Sequence, residues 1–260
     1  MANSFDTSVL RQPRWIAAVL VGAVLALLFV RLAFWQLDRL DERRAQNATT
    51  EERMSEPARP LVGILGQYGD DAGSMADRYA IAEGTFSVAD EFFSIGRTYD
   101  TLTGTLVATP FDLADGSVLI VVRGLVPPGT QGPPAVGFQP ADRSMTIEGV
   151  LREGESPSAI SDPEPVDGHL ESVSRLDLTF IDRWVGGDVL PVMMYLGETT
   201  VRNPAGTPEP IPQAEISEGP HLGYAVQWFA FALIVAVGVA VLVYRAGTVS
   251  ESDPDRTSRQ

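Results

Sequence analysis

Two stretches of the chain carry almost no charge. No charged residue occurs from Trp15 to Val30, and apolar character resumes after Arg31 as far as Leu37. Tyr224 to Tyr244 is also uncharged, with Gln227 its only strongly polar residue. At 1.5 Å per residue the first stretch spans about 35 Å as a helix, enough for a hydrocarbon core of about 30 Å. Aromatic residues mark the ends, as at membrane–water interfaces: Trp15 and Phe34/Trp35 on the first, Tyr224/Trp228 and Tyr244 on the second. The pattern predicts transmembrane helices at 15–37 and 221–244. A cleaved signal peptide is the rival reading of the first. Its apolar run exceeds the ~7–15 residues of a signal, and no clear small-x-small cleavage site accompanies it.

Between the helices the pattern changes. DRLDERRAQNATTEERM after Leu37 spaces acids and arginines at i,i+3 and i,i+4, and reads as helix one continuing until Pro57 and Pro60 stop it. Short β-like runs follow at Tyr79–Val88, Phe92–Tyr99, Gly104–Phe111, Val118–Val126, Ser144–Arg152 and Leu190–Val201. Ser174–Val185 has helical spacing, with Leu176, Phe180 and Trp184 at i, i+4, i+8. Segments 66–77 and 127–140 read as Gly/Pro-rich loops, and Asn203–Pro220 as an extended tether. The fold expected is a membrane protein: two transmembrane α-helices flank an α+β extracytoplasmic domain built mainly of antiparallel β-strands. Its parts are an N-terminal tail (1–14), helix one (15–37), the domain (38–220), helix two (221–244) and a C-terminal tail (245–260).

Charge sets the expected orientation. Residues 45–220 hold 10 Arg and 27 Asp or Glu, a net charge of −17. Arg39, Arg43 and Arg44 would oppose export of this side, but they are interleaved with Asp38, Asp41 and Glu42. Long domains also cross largely regardless of charge. Both termini are therefore expected in the cytoplasm.

Composition removes whole classes of chemistry. There is no Cys among the 260 residues and there are two His. That excludes thiol nucleophiles, disulfides, iron–sulfur clusters and covalent c-type haem, and leaves no multi-histidine metal site. The overall charge of −15 speaks against nucleic-acid binding. No G-x-S-x-G, P-loop, G-x-G-x-x-G or H-E-x-x-H pattern occurs. Acidic pairs such as Asp90/Glu91 read as solvated surface, and glycosidase-type chemistry on them is the weakest alternative. Met193-Met194 should point to opposite faces of a strand and pack in a core. His169, among acids, reads as surface.

His221 differs. It follows Gly219-Pro220 and opens the second helix, where His221, Tyr224, Ala225 and Trp228 share a face at i, i+3, i+4, i+7. A neutral imidazole beside aromatic rings at the membrane boundary can ligate haem iron. It can equally anchor the helix. Arg39 and Arg43, one turn apart above the membrane, are placed to meet an anion such as a propionate or a lipid head group, or to form ion pairs along the helix.

Four stretches together resemble the surfeit-one family of cytochrome c oxidase assembly proteins. They are FWQLDRLDER at the end of helix one, RYAIAEGTF, VLIVVRGLVP, and PHLGYAVQWFAFA at helix two. With the two-helix frame, the resemblance covers most of residues 14–245. Leu125 and Val122 depart from the family's usual Trp and Asn, as does Pro220 from a frequent Asn. The resemblance implies a non-catalytic assembly factor in the plasma membrane, binding or handing over haem a to the oxidase catalytic subunit. Other oxidase subunits and the haem a synthesis machinery are the further expected partners. It implies His221 as the metal ligand and maps Trp35 and Arg39 onto the family's W-Q-L-x-R motif; in the haem-binding reading Tyr224 and Trp228 pack on the porphyrin and Arg39 or Arg43 pairs its propionates. The alternative is a cofactor-free scaffold or accessory subunit.

Overall fold

The computed structural model describes residues 7–99, 102–157, 168–197, 206–211 and 216–249. The helices are α1 (Pro13–Ser55), α2 (Leu61–Tyr68), α3 (Ala72–Met75), α4 (Leu178–Ile181) and α5 (His221–Val249). The strands are β1 (Arg59–Pro60), β2 (Tyr79–Phe86), β3 (Phe92–Tyr99), β4 (Leu102–Leu113), β5 (Ser117–Val126), β6 (Met145–Glu153), β7 (Ser172–Val173) and β8 (Asp188–Leu196). Two compact units result. One combines residues 1–49 with 216–260, and the other is 50–215.

In the first unit α1 and α5 are long and apolar enough to cross a membrane. The expected continuation of helix one is present, and α1 runs unbroken until Pro57 approaches. The helices meet through small residues: Gly22, Ala33, Ala225 and Ala232 are buried. A Cβ on Gly22 would overlap the Val239 side chain, so α1 and α5 approach closely there. The large residues Leu20, Val24, Leu27, Leu233 and Ile234 face outward.

The second unit is a closed barrel. β2, β6, β8, β5 and β4 pair in a ring, which closes where β2 leaves β6 and pairs with β4. Gly84 is the seam, since it pairs with Met145 on one side and Leu113 on the other. A Cβ there would overlap the Asp112 carbonyl oxygen, so only glycine lets the strands come this close. Pairing is mainly antiparallel, with β1–β2, β3–β7 and β5–β8 parallel.

Side-chain alternation gives the barrel two cores. Phe86, Phe111, Leu119, Val121, Ile147, Leu151 and Met194 form one cluster with Leu61, Ile64 and Met75 from α2 and α3. Val118, Ile120, Val122 and Met193 join Leu170, Leu176 and Ile181 in the other. β5 is thus covered on both faces, which explains the apolar run Val118–Val122. The Met193-Met194 pair divides between the two clusters as its alternation predicts.

Some expectations are corrected. The helix over Ser174–Val185 contracts to Leu178–Ile181, where the Asp177 carboxylate accepts from the amides of Thr179 and Phe180. The apolar spacing records one-sided burial against the sheet rather than a long helix, and Gly186-Gly187 follow at once. Segment 66–77 is not a loop throughout. It holds the end of α2 and all of α3, the latter capped by Asp71. The hydroxyl and amide of Ser74 hold the Asp71 carboxyl below its ordinary value. The last strand ends at Leu196, and residues 198–201 of the expected run lie outside the described residues, as do 203–205 and 212–215 of the tether.

Candidate functional site

The site expected at the mouth of α5 is built by a strap on α1. Ser217 presents its carbonyl to Arg43 Nε at 3.3 Å and to Asn47 Nδ2 at 3.1 Å. Arg44 donates to both carboxylate oxygens of Glu218, at 2.8 and 3.0 Å. Arg44 holds the Glu218 carboxyl below its ordinary value, chiefly by hydrogen bonding. Gly219 then turns with φ of +69°, a conformation L side chains rarely adopt. Pro220 leads into α5, and its carbonyl accepts the helix's first bond, from Tyr224 N.

This sequence of contacts sets His221 against α1. Its Nδ1 lies 2.9 Å from Gln36 Oε1. With Nδ1–H donating to that oxygen, the tautomer is fixed and the Nε2 lone pair is left for a ligand. One turn deeper Ala225 is buried, and below it Trp228 stacks on Phe29 at 5.6 Å and 27°. Phe231 closes the cluster, 5.9 Å from Phe29 and 5.7 Å from Trp228.

The predicted site residues separate into two groups. His221 and Trp228 face α1, whereas Tyr224 and Trp35 are exposed on the outside of the pair. Arg39 pairs with Glu42 at 2.6 Å, and Arg43 is engaged by Ser217. The arginines therefore serve the helix and its strap. Trp228 and Phe29 stack across the two helices, with Phe231 at the exposed edge of the cluster. Among the described residues no cluster of three metal-ligating side chains occurs. The described residues offer one imidazole, His221, that could hold a haem, while Arg39 and Arg43 are engaged by Glu42 and the Ser217 carbonyl.

Sequence reasoning missed the partner of His221 on α1, Gln36, although it is the one polar residue in Ala33–Leu37. It also missed a buried polar centre in the barrel. Glu91 was expected on the surface beside Asp90, yet it is 2% exposed and Arg123 is 4% exposed. Glu91 Oε2 accepts from Arg123 NH1 at 2.7 Å and from Thr109 Oγ1 at 2.6 Å. Its Oε1 accepts from the amide of Ala135 at 2.7 Å, and Arg123 also donates to the Phe138 carbonyl. Burial lowers the Arg123 pKa, and Glu91 opposes that shift. The network ties loop 127–140 to the barrel wall, and Glu91 is buried there rather than on the surface. The motif R-G-L-V-P already held its partner, Arg123. His169 is exposed, as expected.

Known proteins share this chain's sequence over most of its length. The SURF1 family profile matches residues 23–233. An uncharacterized SURF1-like protein of Mycobacterium bovis is 26% identical over 238 residues, which cover 90% of this chain and 85% of that protein. A Mycobacterium tuberculosis counterpart gives the same figures. A SURF1-like protein of Monosiga brevicollis is 29% identical over 222 residues, 82% of this chain and 81% of its own. The match runs from α1 through the whole barrel into α5, and the chain belongs to the SURF1 family.

Proposed function

We propose that the protein is a non-catalytic assembly factor for cytochrome c oxidase in the plasma membrane, and that it holds haem a on its way to the catalytic subunit. Membership of the SURF1 family, generally linked to cytochrome c oxidase assembly, supports the assembly role. The His221–Gln36 pair is the observation that carries the haem role. Both termini lie in the cytoplasm, and the barrel faces the other side and docks on extracytoplasmic parts of the oxidase.

In this role His221 would hold the haem iron through Nε2. Gln36 orients the ring and keeps it in the tautomer that leaves Nε2 a lone pair. Trp228, packed on Phe29, keeps α5 against α1 and so fixes the height of His221 at the membrane boundary. A haem held here would supply the redox centre of the oxidase, and this chain would offer it His221 as its one imidazole at the site.

The test is the visible spectrum of the detergent-purified full chain from cells that make haem a. The wild type should carry haem absorption, and His221→Ala should lose it. Gln36→Leu should retain part of it with reduced occupancy. Full occupancy in His221→Ala would refute the ligand assignment. The second reading, a cofactor-free scaffold, is favoured by the stacking of Trp228 on Phe29, which already engages the indole in the contact between the helices. Deletion of the gene separates the two: the scaffold predicts poorly assembled oxidase that still contains haem a, whereas a carrier predicts oxidase lacking it.

A further inference from the structure

Arg31 is the only charged residue between Trp15 and Leu37. It is exposed on α1 and, among the described residues, makes no hydrogen bond, ion pair or ring contact. The other arginines near this end behave differently. Arg39 pairs with Glu42, Arg43 with the Ser217 carbonyl and Arg44 with Glu218. Only the arginine inside the apolar span is left unpaired.

Its position on the helix is defined. Leu20, Val24, Leu27, Arg31 and Trp35 are spaced 4, 3, 4 and 4 residues apart and form one stripe. All five are exposed, and the stripe lies opposite the face that buries Gly22, Ala33 and Leu40. Arg31 sits six residues, or about 9 Å, inside the span from Leu37 at 1.5 Å per residue. Helical side chains lean toward the helix N-terminus, which directs Arg31 toward the middle of the bilayer and away from its nearer surface. Snorkelling to the close head groups therefore works against the backbone. Ionisable residues at such depth normally face a bundle interior and pair there.

We infer that the stripe Leu20–Val24–Leu27–Arg31–Trp35 docks a transmembrane helix of a different protein, and that this helix carries an Asp or Glu within the hydrocarbon layer opposite Arg31. A carboxylate is the complement of a desolvated guanidinium, accepting two parallel hydrogen bonds. A second copy of this chain cannot supply it. Neither Trp15–Leu37 nor Tyr224–Tyr244 contains an acid, and a parallel pairing of two α1 helices would set Arg31 against Arg31. The inference goes beyond the proposed role and needs only that α1 spans a membrane. It holds whether or not the chain binds haem.

The experiment places a photo-cross-linking benzoylphenylalanine at Leu27 or Trp35 of the full chain, in its own cell membranes. Irradiation should yield an adduct with another membrane protein. The cross-linked peptide should lie in a transmembrane segment, within one helical turn of an Asp or Glu. Arg31→Leu, which makes the span more apolar and preserves insertion, should lower the yield about tenfold or more, as removal of one partner of a desolvated pair does. Arg31→Lys should largely preserve the yield. Arg31→Glu should abolish it, and Arg at the partner's acid should restore it. Adducts with lipid only, with a second copy of this chain, or with a helix lacking an acid would overturn the inference. So would an unchanged yield in Arg31→Leu, or failure of the charge swap to restore it.

Discussion

In the barrel the largest buried side chains are the largest apolar ones, Phe92, Phe111, Leu119, Ile120, Ile147 and Leu151 among them. Within the apolar spans of α1 and α5 the fully buried residues are Gly22, Ala33, Ala225 and Ala232, with Phe29 and Trp228 half-buried beside them, while Leu20, Leu27 and Ile234 lie outside. The two regions draw on similar apolar residues and sort them in opposite directions. Water drives large apolar groups inward, because each buried side chain removes area from solvent. Lipid tails give no such preference, so contact between helices is decided by close approach, and small residues take the interface. The helix pair is arranged for lipid and the barrel for water.

Charge follows the same division. The barrel encloses Glu91 and Arg123 and satisfies the carboxylate with Arg123, Thr109 and the Ala135 amide. Glu91→Ala removes the counter-charge and leaves the Arg123 guanidinium buried. Loss of one partner of such a pair costs about 3–5 kcal/mol. We expect this to be the largest single-residue effect in the molecule, read as a lowered denaturation midpoint of the detergent-solubilised full chain followed by near-UV circular dichroism. A change below about 1 kcal/mol, typical of an exposed pair, would show that the centre is open to water.

Leucines on the two sides of the comparison provide a direct test. Leu151 is fully buried in the barrel, and Leu151→Ala should cost about 2–5 kcal/mol through lost transfer energy and the cavity left behind. Leu27 is exposed on α1, and Leu27→Ala should leave the barrel's unfolding unchanged. The denaturation curves of the two variants, measured side by side, decide it. Equal losses at both positions would mean that the two regions sort their residues by the same rule.

The sequence made the α1 and α5 spans legible because lipid demands long uncharged runs. Val118–Val126 was legible because a strand covered on both faces is apolar nearly throughout, Arg123 being its one charged position. Barrel closure was not, since it depends on Gly84 meeting Asp112, a contact between residues far apart in the chain. The helix spacing of Leu176, Phe180 and Trp184 misled, because one-sided burial over a sheet imitates a helical stripe when the segment is short. At the candidate site His221 stood out by chemistry. Its partner Gln36 did not, because antiparallel register between two helices is set by packing at Gly22 and by the Ser217–Glu218 strap. Glu91 was hidden for a simpler reason: in a chain with 34 acids, one buried carboxylate has no local signature.

A mid-sized effect should come from the helix contact. Gly22→Leu places a large side chain where even a Cβ overlaps Val239, and overpacking typically costs about 1–3 kcal/mol. The natural chain has no Cys, so single cysteines at Ala33 and Ala225 report on this interface cleanly. Their oxidative cross-linking in membranes should fall in the Gly22→Leu background, while the barrel's denaturation midpoint stays fixed. An undiminished yield would show that α1 and α5 do not rely on close approach at Gly22.

The smallest effect belongs to the exposed strap. Hydrogen bonding from Arg44 depresses the Glu218 carboxyl in the folded chain. A depressed carboxylate adds stability that is fully present above its ordinary value of 4.5 and is lost as pH falls through the lower folded value. Cross-linking between cysteines at Ala33 and Ala225 should therefore hold through neutral and mildly acidic pH and weaken only below the ordinary glutamate range. Removing the guanidinium with Arg44→Ala lets Glu218 return toward 4.5, so its folded and unfolded values coincide and the small acid-side decline should disappear. Glu218→Gln should abolish this pH dependence and leave the neutral-pH yield almost unchanged, because exposed pairs contribute little at ordinary ionic strength. A large loss at neutral pH in Glu218→Gln would mean that the strap, and not the small-residue contact, holds α5 to α1.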